Sequence, residues 1–205
     1  MIDWNGLFIL NVLRNFGFDE GWINWILECI STTSFSILIN GSPFSFFQPQ
    51  RGLRQEDPLS PFLFIVAVEV LSKLLQKAEE DNKLKGIKLA KGYKPISHLQ
   101  FADDLFIFGT ADEKNIRYIK ECLSTYSSWS GQKINTHKST MFFSKNLTCW
   151  HSKHLLAGRM GLKIERSKGK YLGLPMLIGK SKKGTFQEVV ERVEKKYQKI
   201  GRAHV

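Results

Sequence analysis

The segment that most constrains how this chain can fold is His98-Leu99-Gln100-Phe101-Ala102-Asp103-Asp104-Leu105-Phe106-Ile107-Phe108. An apolar run is broken by two adjacent carboxylates and then resumes, with Lys94-Pro95 before it and Gly109-Thr110 after. The pattern predicts a β-hairpin: a strand to Phe101 or Ala102, a tight turn carrying Asp103 and Asp104, and a return strand to Phe108. Two like charges side by side on an apolar hairpin are costly unless neutralised. Magnesium, a hard cation that takes carboxylate oxygens, is the simplest neutralising partner. Aspartate is also common in turns, so on composition alone an ordinary Asp-Asp turn stands beside the metal reading.

The rest of the chain alternates between helical and strand-like spacing. Trp4 to Phe16 has apolar residues at helical intervals and Gly17 to end it. Asp19-Glu20 opens a second amphipathic helix through Trp22, Ile23, Ile26, Leu27 and Ile30, with acidic groups at its positive end. The tryptophans of these helices are expected in the core, with base stacking as the minority alternative. Thr32 to Ile39 is rich in β-branched and aromatic residues. Asn40-Gly41 is a tight-turn signal, and Phe44, Phe46 and Phe47 form the return strand. Asp57 or Ser60 can cap a helix that runs to Glu80, with Pro58 or Pro61 in its first turn.

The first half of that helix, Phe62 to Val68, is apolar on every face. It is therefore expected to lie buried beneath the sheet that carries Asp103. Gly86 to Leu89 is a short strand candidate, and Asp112 to Trp129 returns to helical spacing, closed by Ser130-Gly131. Further on come a strand at Thr140 to Phe143, a short helix at Trp150 to Leu156, a strand pair at Tyr171 to Gly179 and an amphipathic helix at Phe186 to Ile200. Helices packed under an antiparallel sheet give an α+β class. A composition shift over Ser144 to Ser167 suggests two parts, 1–143 and 144–205. Cys149, His151 and His154 have metal-like spacing but lack a fourth ligand, which favours ordinary surface residues.

A chain of 205 residues with 42% hydrophobic content can bury one core with room for a small appendage. The formal charge of +11 favours a polyanionic partner. Lysines concentrate in the second half, so weak, non-specific and salt-sensitive binding to nucleic acid is expected there. Three cysteines give no disulfide framework and fit a reducing compartment. No signal peptide and no apolar run of transmembrane length is visible, so an intracellular protein without a membrane partner is expected, nuclear or cytoplasmic.

Four ordered blocks carry a resemblance. They are Gly21-Trp22-Ile23-Asn24-Trp25-Ile26, Ile39-Asn40-Gly41-Ser42-Pro43, Arg51-Gly52-Leu53-Arg54-Gln55-Glu56-Asp57-Pro58-Leu59-Ser60-Pro61, and Lys170-Tyr171-Leu172-Gly173-Leu174-Pro175. Together with Phe101-Ala102-Asp103-Asp104 they resemble the reverse transcriptase domain of plant non-LTR (LINE-type) retrotransposons. The resemblance implies a partial right-hand polymerase palm over 1–143, then a connecting region with a primer-grip-like strand and the start of a thumb-like element over 144–205. It implies RNA-directed DNA synthesis by two-metal nucleotidyl transfer, with an RNA template, a DNA primer and Mg2+ or Mn2+. By the same resemblance Asp103 is the shared metal ligand and Asp104 a weaker or outer one. Arg54, Gln55 and Glu56 fall at the nucleotide pocket, and Lys138 matches the lysine that could protonate pyrophosphate. Tyr171, Leu172 and Gly173 match the primer grip.

Two departures from the family pattern bear on activity. The strand with the family's other catalytic carboxylate lies just upstream of the segment that Met1-Ile2-Asp3-Trp4 resembles, which implies an N-terminally truncated fragment; Asp3 matches a position after that motif. Glu56 stands where the family has a glycine whose backbone closely approaches the nucleotide, and its charge would repel a triphosphate. The expected state is a reverse transcriptase fragment that is catalytically inactive and holds metal weakly. The alternatives are a non-catalytic basic nucleic-acid-binding module and a non-functional retrotransposon remnant.

Overall fold

A computed structural model describes residues 6–48, 57–144, 146–165, 170–171, 174–175 and 182–202. The chain forms two compact units, Met1–Asn135 and Thr136–Val205. The first runs α1 (Gly6–Asn15), α2 (Glu20–Ser31), β1 (Phe35–Ile39), β2 (Ser42–Phe47), α3 (Ser60–Glu80), β3 (His98–Phe101), β4 (Asp104–Ile107) and α4 (Glu113–Ser130). The second runs β5 (Thr140–Met141), α5 (Trp150–Met160), β6 (Lys163–Ile164), β7 (Lys170–Tyr171), β8 (Leu174–Pro175) and α6 (Lys182–Arg202).

The core of the first unit is a helical layer of α1, α3 and α4, each touching the other two. From α1 come Phe8, Ile9, Leu10, Val12 and Leu13. Helix α3 contributes Leu63, Ala67, Leu71, Leu75 and Ala78, spaced by three or four residues along one face. From α4 come Ile116, Ile119, Cys122, Leu123 and Tyr126. The Phe8 and Tyr126 rings meet edge to face, with centroids 6.1 Å apart. Burial pushes the Tyr126 phenol well above its ordinary pKa, so it stays neutral. The ends of α2 and α4 follow their sequence signals, whereas α3 is capped by neither Asp57 nor Ser60. Leu59 holds its cap position without a side-chain bond, Ser60 is already the first helical residue, and the expected proline does fall in the first turn. The Asp19 carboxylate accepts from the Gly21 amide at 2.8 Å, the Asp112 carboxylate from the Asn115 amide at 2.8 Å, and Gly131 closes α4 in the left-handed conformation. An Arg14–Glu20 ion pair at 2.8 Å bridges α1 to α2, but both side chains are exposed and it adds little stability.

Several expectations are corrected. Helix α3 is not buried all round: Phe62 is 66% and Ile65 65% exposed. Its close neighbours are α1 and α4, which cover one flank and leave the other open among the described residues. The expected antiparallel sheet is not a single layer. Among the described residues there are instead four separate two-stranded pairs, three antiparallel and one, β5 with β6, parallel. The parallel pair follows from its connection, since α5 carries the chain back before β6 begins. Trp25 is not a core residue but 67% exposed, because Ile23 and Ile26 define the buried face of α2 and Trp25 falls off it.

Other elements match their sequence signals. The Asn40-Gly41 turn has φ of 50° and 83°, the positive values that a two-residue hairpin turn requires. The short strand candidate near Gly86 is a single antiparallel bridge, Ile87 with Ile96. At Gly86 a Cβ would fall 2.5 Å from the Ile96 carbonyl oxygen, so only glycine lets the two segments approach this closely. Among the described residues no helix is long and apolar enough to cross a membrane.

Candidate functional site

Strands β3 and β4 pair as His98 with Ile107, Leu99 with Phe106, Gln100 with Leu105 and Phe101 with Asp104. The turn between them is therefore Ala102-Asp103, and Asp104 opens the return strand instead of sharing the turn. The return strand also stops one residue short of Phe108, although the Phe108 amide still donates to the Ser97 carbonyl at 2.7 Å. Ala102 takes φ of 48°, a left-handed value uncommon for a residue with a Cβ. A positive φ at the first turn position gives a two-residue turn the twist of its strands.

Because facing residues share a side of the ladder, Asp104 lies on the face with Phe101, Leu99 and Phe106. His98, Gln100, Leu105 and Ile107 lie on the other. Phe101 and Leu99 are 61% and 48% exposed, so the acid-bearing face looks outward. Asp103 and Asp104 are both exposed at the tip. Adjacent carboxylates on an open turn offer several hard oxygens and leave room for water, the donor chemistry that magnesium and manganese take. Among the described residues, no cluster of three or more His, Cys, Asp or Glu is placed to hold a metal. The pair is thus a partial donor set, and Cys149, His151 and His154 form no metal cluster.

Two polar anchors that the motifs do not announce fix this hairpin to the helices. The His98 ring lies with Nε2 2.9 Å from Ser72 Oγ on α3 and Nδ1 3.1 Å from Ser97 Oγ. A neutral imidazole has one donor and one acceptor nitrogen, and two hydroxyls satisfy both. Burial lowers the His98 pKa, and the Glu69 and Glu79 charges only partly oppose that.

The second anchor is Asn115, buried at 2% exposure on the first turn of α4. Its Nδ2 donates to Thr110 Oγ1 and, at 2.7 Å, to the Asp112 carboxylate; its Oδ1 accepts from the Lys85 amide at 2.7 Å. One side chain thus joins the segment leaving β4 to the segment leaving α3. Burial raises the Asp112 carboxyl, but hydrogen bonds from Thr110 and Asn115 outweigh it and leave the pKa below the ordinary value. The signals for both anchors were present in Ser97-His98 before the strand and in Asp112 three residues ahead of Asn115. Neither pattern names its distant partner.

The other predicted site residues lie outside the described residues or in the second unit. Arg54, Gln55, Glu56, Leu172 and Gly173 lie outside the described residues. Lys138 is exposed in the second unit, in the turn before β5. Tyr171 ends β7, where it pairs with Leu174 of β8.

Comparison with known proteins supplies the lineage. The family model described as reverse transcriptase (RNA-dependent DNA polymerase) matches residues 2–176. An uncharacterized mitochondrial protein of Arabidopsis thaliana is 52% identical over 67 residues, 33% of this chain and 55% of the relative. A retrovirus-related Pol polyprotein from a type-1 retrotransposable element R2 of Popillia japonica is 33% identical over 135 residues, 64% of this chain and 18% of that protein. A Pol polyprotein from the type-2 element R2DM of Drosophila melanogaster is 27% identical over 130 residues, 63% of this chain and 11% of that protein. The chain thus spans about half the length of the Arabidopsis relative and less than a fifth of either polyprotein.

Proposed function

The chain belongs to the reverse transcriptase family, with its match running over residues 2–176, and from that membership we propose that Asp103 and Asp104 are the metal-ligating carboxylates of a nucleotidyl-transfer site. The observation that carries the reading is the hairpin itself, which presents two adjacent, exposed acids at its tip while its base is tied to α3 through His98 and Ser72 and the segment leaving it is tied to α4 through Thr110 and Asn115. A right-hand palm with the beginning of a thumb is the architecture that fits this lineage. The motif blocks and the Arabidopsis relative support a LINE-type element of a plant as the source.

A bound pair of divalent ions supplies Lewis acidity at the attacking primer hydroxyl and at the leaving pyrophosphate. The chain's own residues then have separate tasks. Asp103 and Asp104 contribute anionic oxygens. Arg54 and Gln55 contact the incoming nucleotide, and Lys138 donates a proton to the departing pyrophosphate. The backbone around Tyr171, Leu172 and Gly173 holds the primer end. RNA template and DNA primer are the partners, held largely through phosphate contacts by a chain of charge +11.

The 205-residue chain by itself binds nucleic acid and a divalent ion without measurable synthesis. Two carboxylates attract an ion, but binding is not alignment for in-line attack. Glu56 adds a second obstacle, because a carboxylate in the pocket repels the triphosphate. The test is primer extension on a primed RNA template with magnesium or manganese, run beside a gel-shift titration in salt. No extension, with binding that weakens steeply as salt rises, is the expected pair of results. Extension above background that Asp103→Ala abolishes would overturn the inactive reading and support the site. Binding indifferent to salt would overturn the phosphate-contact reading.

A further inference from the structure

Helix α5 carries features that the catalytic reading leaves unused. It packs Leu156 and Ala157 inward and leads straight into β6, with the Leu162 amide donating to the Ala157 carbonyl at 3.1 Å. Trp150, His154 and Gly158 follow one another at intervals of four, so they form one row along the helix surface. The Trp150 side chain is 64% exposed. His154 Nδ1 lies 2.9 Å from the Trp150 carbonyl oxygen, and the two ring centroids are 3.8 Å apart with planes tilted by 32°. The imidazole therefore backs the indole and fixes it, while most of the indole stays open. At Gly158, next in the row, an added Cβ would meet nothing within 4 Å among the described residues. Glycine weakens a helix interior, and no packing neighbour there calls for it. The row thus sets an aromatic pair beside a bare stretch of helix backbone.

The charge around this row selects the partner. Between Glu121 and Glu165 there is no Asp or Glu, while Lys133, Lys138, Lys145, Lys153, Arg159 and Lys163 all fall there. Lys153 and Arg159 are on α5 itself, and Lys163 opens β6, against which α5 packs. A surface with cations and no carboxylates attracts a polyanion. An aromatic pair open to solvent adds affinity for flat π-faces. Single-stranded nucleic acid offers both, phosphates along a chain and base faces that can be splayed out to stack on a side chain. In a duplex those faces are taken by neighbouring bases. An anionic membrane would call for a continuous apolar face. Helix α5 turns Leu156 and Ala157 inward, and its exposed large apolar residues, Trp150 and Leu155, stand five positions apart on different sides.

Building on the reading of the chain as one that holds template and primer, we propose that α5 is a contact surface for single-stranded nucleic acid. An unpaired base stacks on Trp150, the strand passes over Gly158, and Lys153, Arg159 and Lys163 meet its phosphates. The row from Trp150 to Gly158 is about 12 Å long at the rise of an α-helix, enough for a few nucleotides. Stacking gives the preference for a single strand over a duplex and tolerates any base, because every base has a π-face. The cations give affinity that falls as salt rises and reads no sequence.

Fluorescence anisotropy of the purified chain with a labelled oligothymidylate, beside a labelled duplex of equal length, tests this at about 0.05 and 0.2 M salt. The expected result is tighter binding of the single strand, weakening as salt rises. Trp150→Ala should weaken single-strand binding about fivefold or more and leave duplex binding within about twofold. Trp150→Phe keeps a stacking ring and should retain most of the affinity. Gly158→Gln should raise thermal stability, since it improves helix propensity, and yet weaken single-strand binding. Far-ultraviolet circular dichroism should show no loss of helix in any variant. Single-strand binding indifferent to Trp150→Ala, or equal losses for single strand and duplex, would overturn this inference and leave the wider nucleic-acid reading standing. Binding to vesicles of phosphatidylserine and phosphatidylcholine that Trp150→Ala abolishes, with oligonucleotide binding intact, would overturn it in favour of a membrane. No binding of either oligonucleotide would overturn both readings.

Discussion

The β1–β2 and β3–β4 hairpins are alike in construction and opposite in circumstance. Each is a pair of short antiparallel strands closed by a two-residue turn with positive φ, at Asn40-Gly41 in one and at Ala102 in the other. A lone two-stranded hairpin is at best marginally stable in water, so each needs support. The β3–β4 hairpin receives it from the helices through His98–Ser72 and, beyond its end, through Asn115. The β1–β2 hairpin shows no such side-chain bond to a helix among the described residues, and exposed apolar side chains stand on both of its faces, Ile37 and Phe44 on one and Leu38 and Phe46 on the other. Carboxylates meant to receive an ion benefit from a fixed frame, since positioning limits catalysis more than attraction does.

The largest test of that contrast is made in the core. Leu75 is fully buried on α3, and Leu75→Ala should cost about 2–5 kcal/mol by urea unfolding. Amide exchange in β3 and β4 should accelerate along with the helices, while β1 and β2, expected to exchange fast already, should change little. Equal acceleration in both hairpins would erase the distinction.

A more local change sharpens it. Asn115→Ala removes two donated bonds and leaves the Lys85 amide without its acceptor, a loss of about 1–3 kcal/mol. Proton chemical shifts should move at Thr110, Lys85 and the adjoining strand β4 but not in β1–β2. The smallest effect concerns pH. Burial depresses the His98 pKa from the ordinary 6.5, so the unfolded chain takes up a proton before the folded one does. Stability from this group is complete above about pH 6.5 and declines as pH falls below it, until the lowered folded value is passed. His98→Gln should flatten the dependence of unfolding free energy on pH in that window. An unchanged slope would mean that the ring is not held neutral between Ser72 and Ser97.

Much of this was legible in the sequence because the signals are local. Asp19 and Asp112 cap the helices they precede, Gly17 follows α1 and Gly131 ends α4, and Asn40-Gly41 turns its hairpin. The second hairpin was legible too, but its turn is Ala102-Asp103 and not the expected Asp103-Asp104. Local patterns fail where burial depends on what lies across the gap. Phe62 to Val68 has no polar face in the sequence, yet α1 and α4 cover only one of its flanks. Trp25 belongs to an apolar run and still points outward. The candidate site divides the same way. The two acids are visible as a motif, but the contacts that fix their hairpin and the segments beside it join residues 26 and 30 positions apart, His98 with Ser72 and Asn115 with Lys85. No pattern in a single sequence predicts such pairs.

Asp103 and Asp104, at the tip of the β3–β4 hairpin, are the proposed ion-binding site of this reverse transcriptase lineage. Manganese titration followed by paramagnetic broadening of backbone amide resonances addresses it without requiring activity. The expected result is broadening centred on Ala102 to Leu105 at low manganese, displaced by excess magnesium and lost in Asp103→Asn, with the β1–β2 resonances sharp throughout. Broadening centred elsewhere in the chain, or unaffected by Asp103→Asn and Asp104→Asn together, would contradict it.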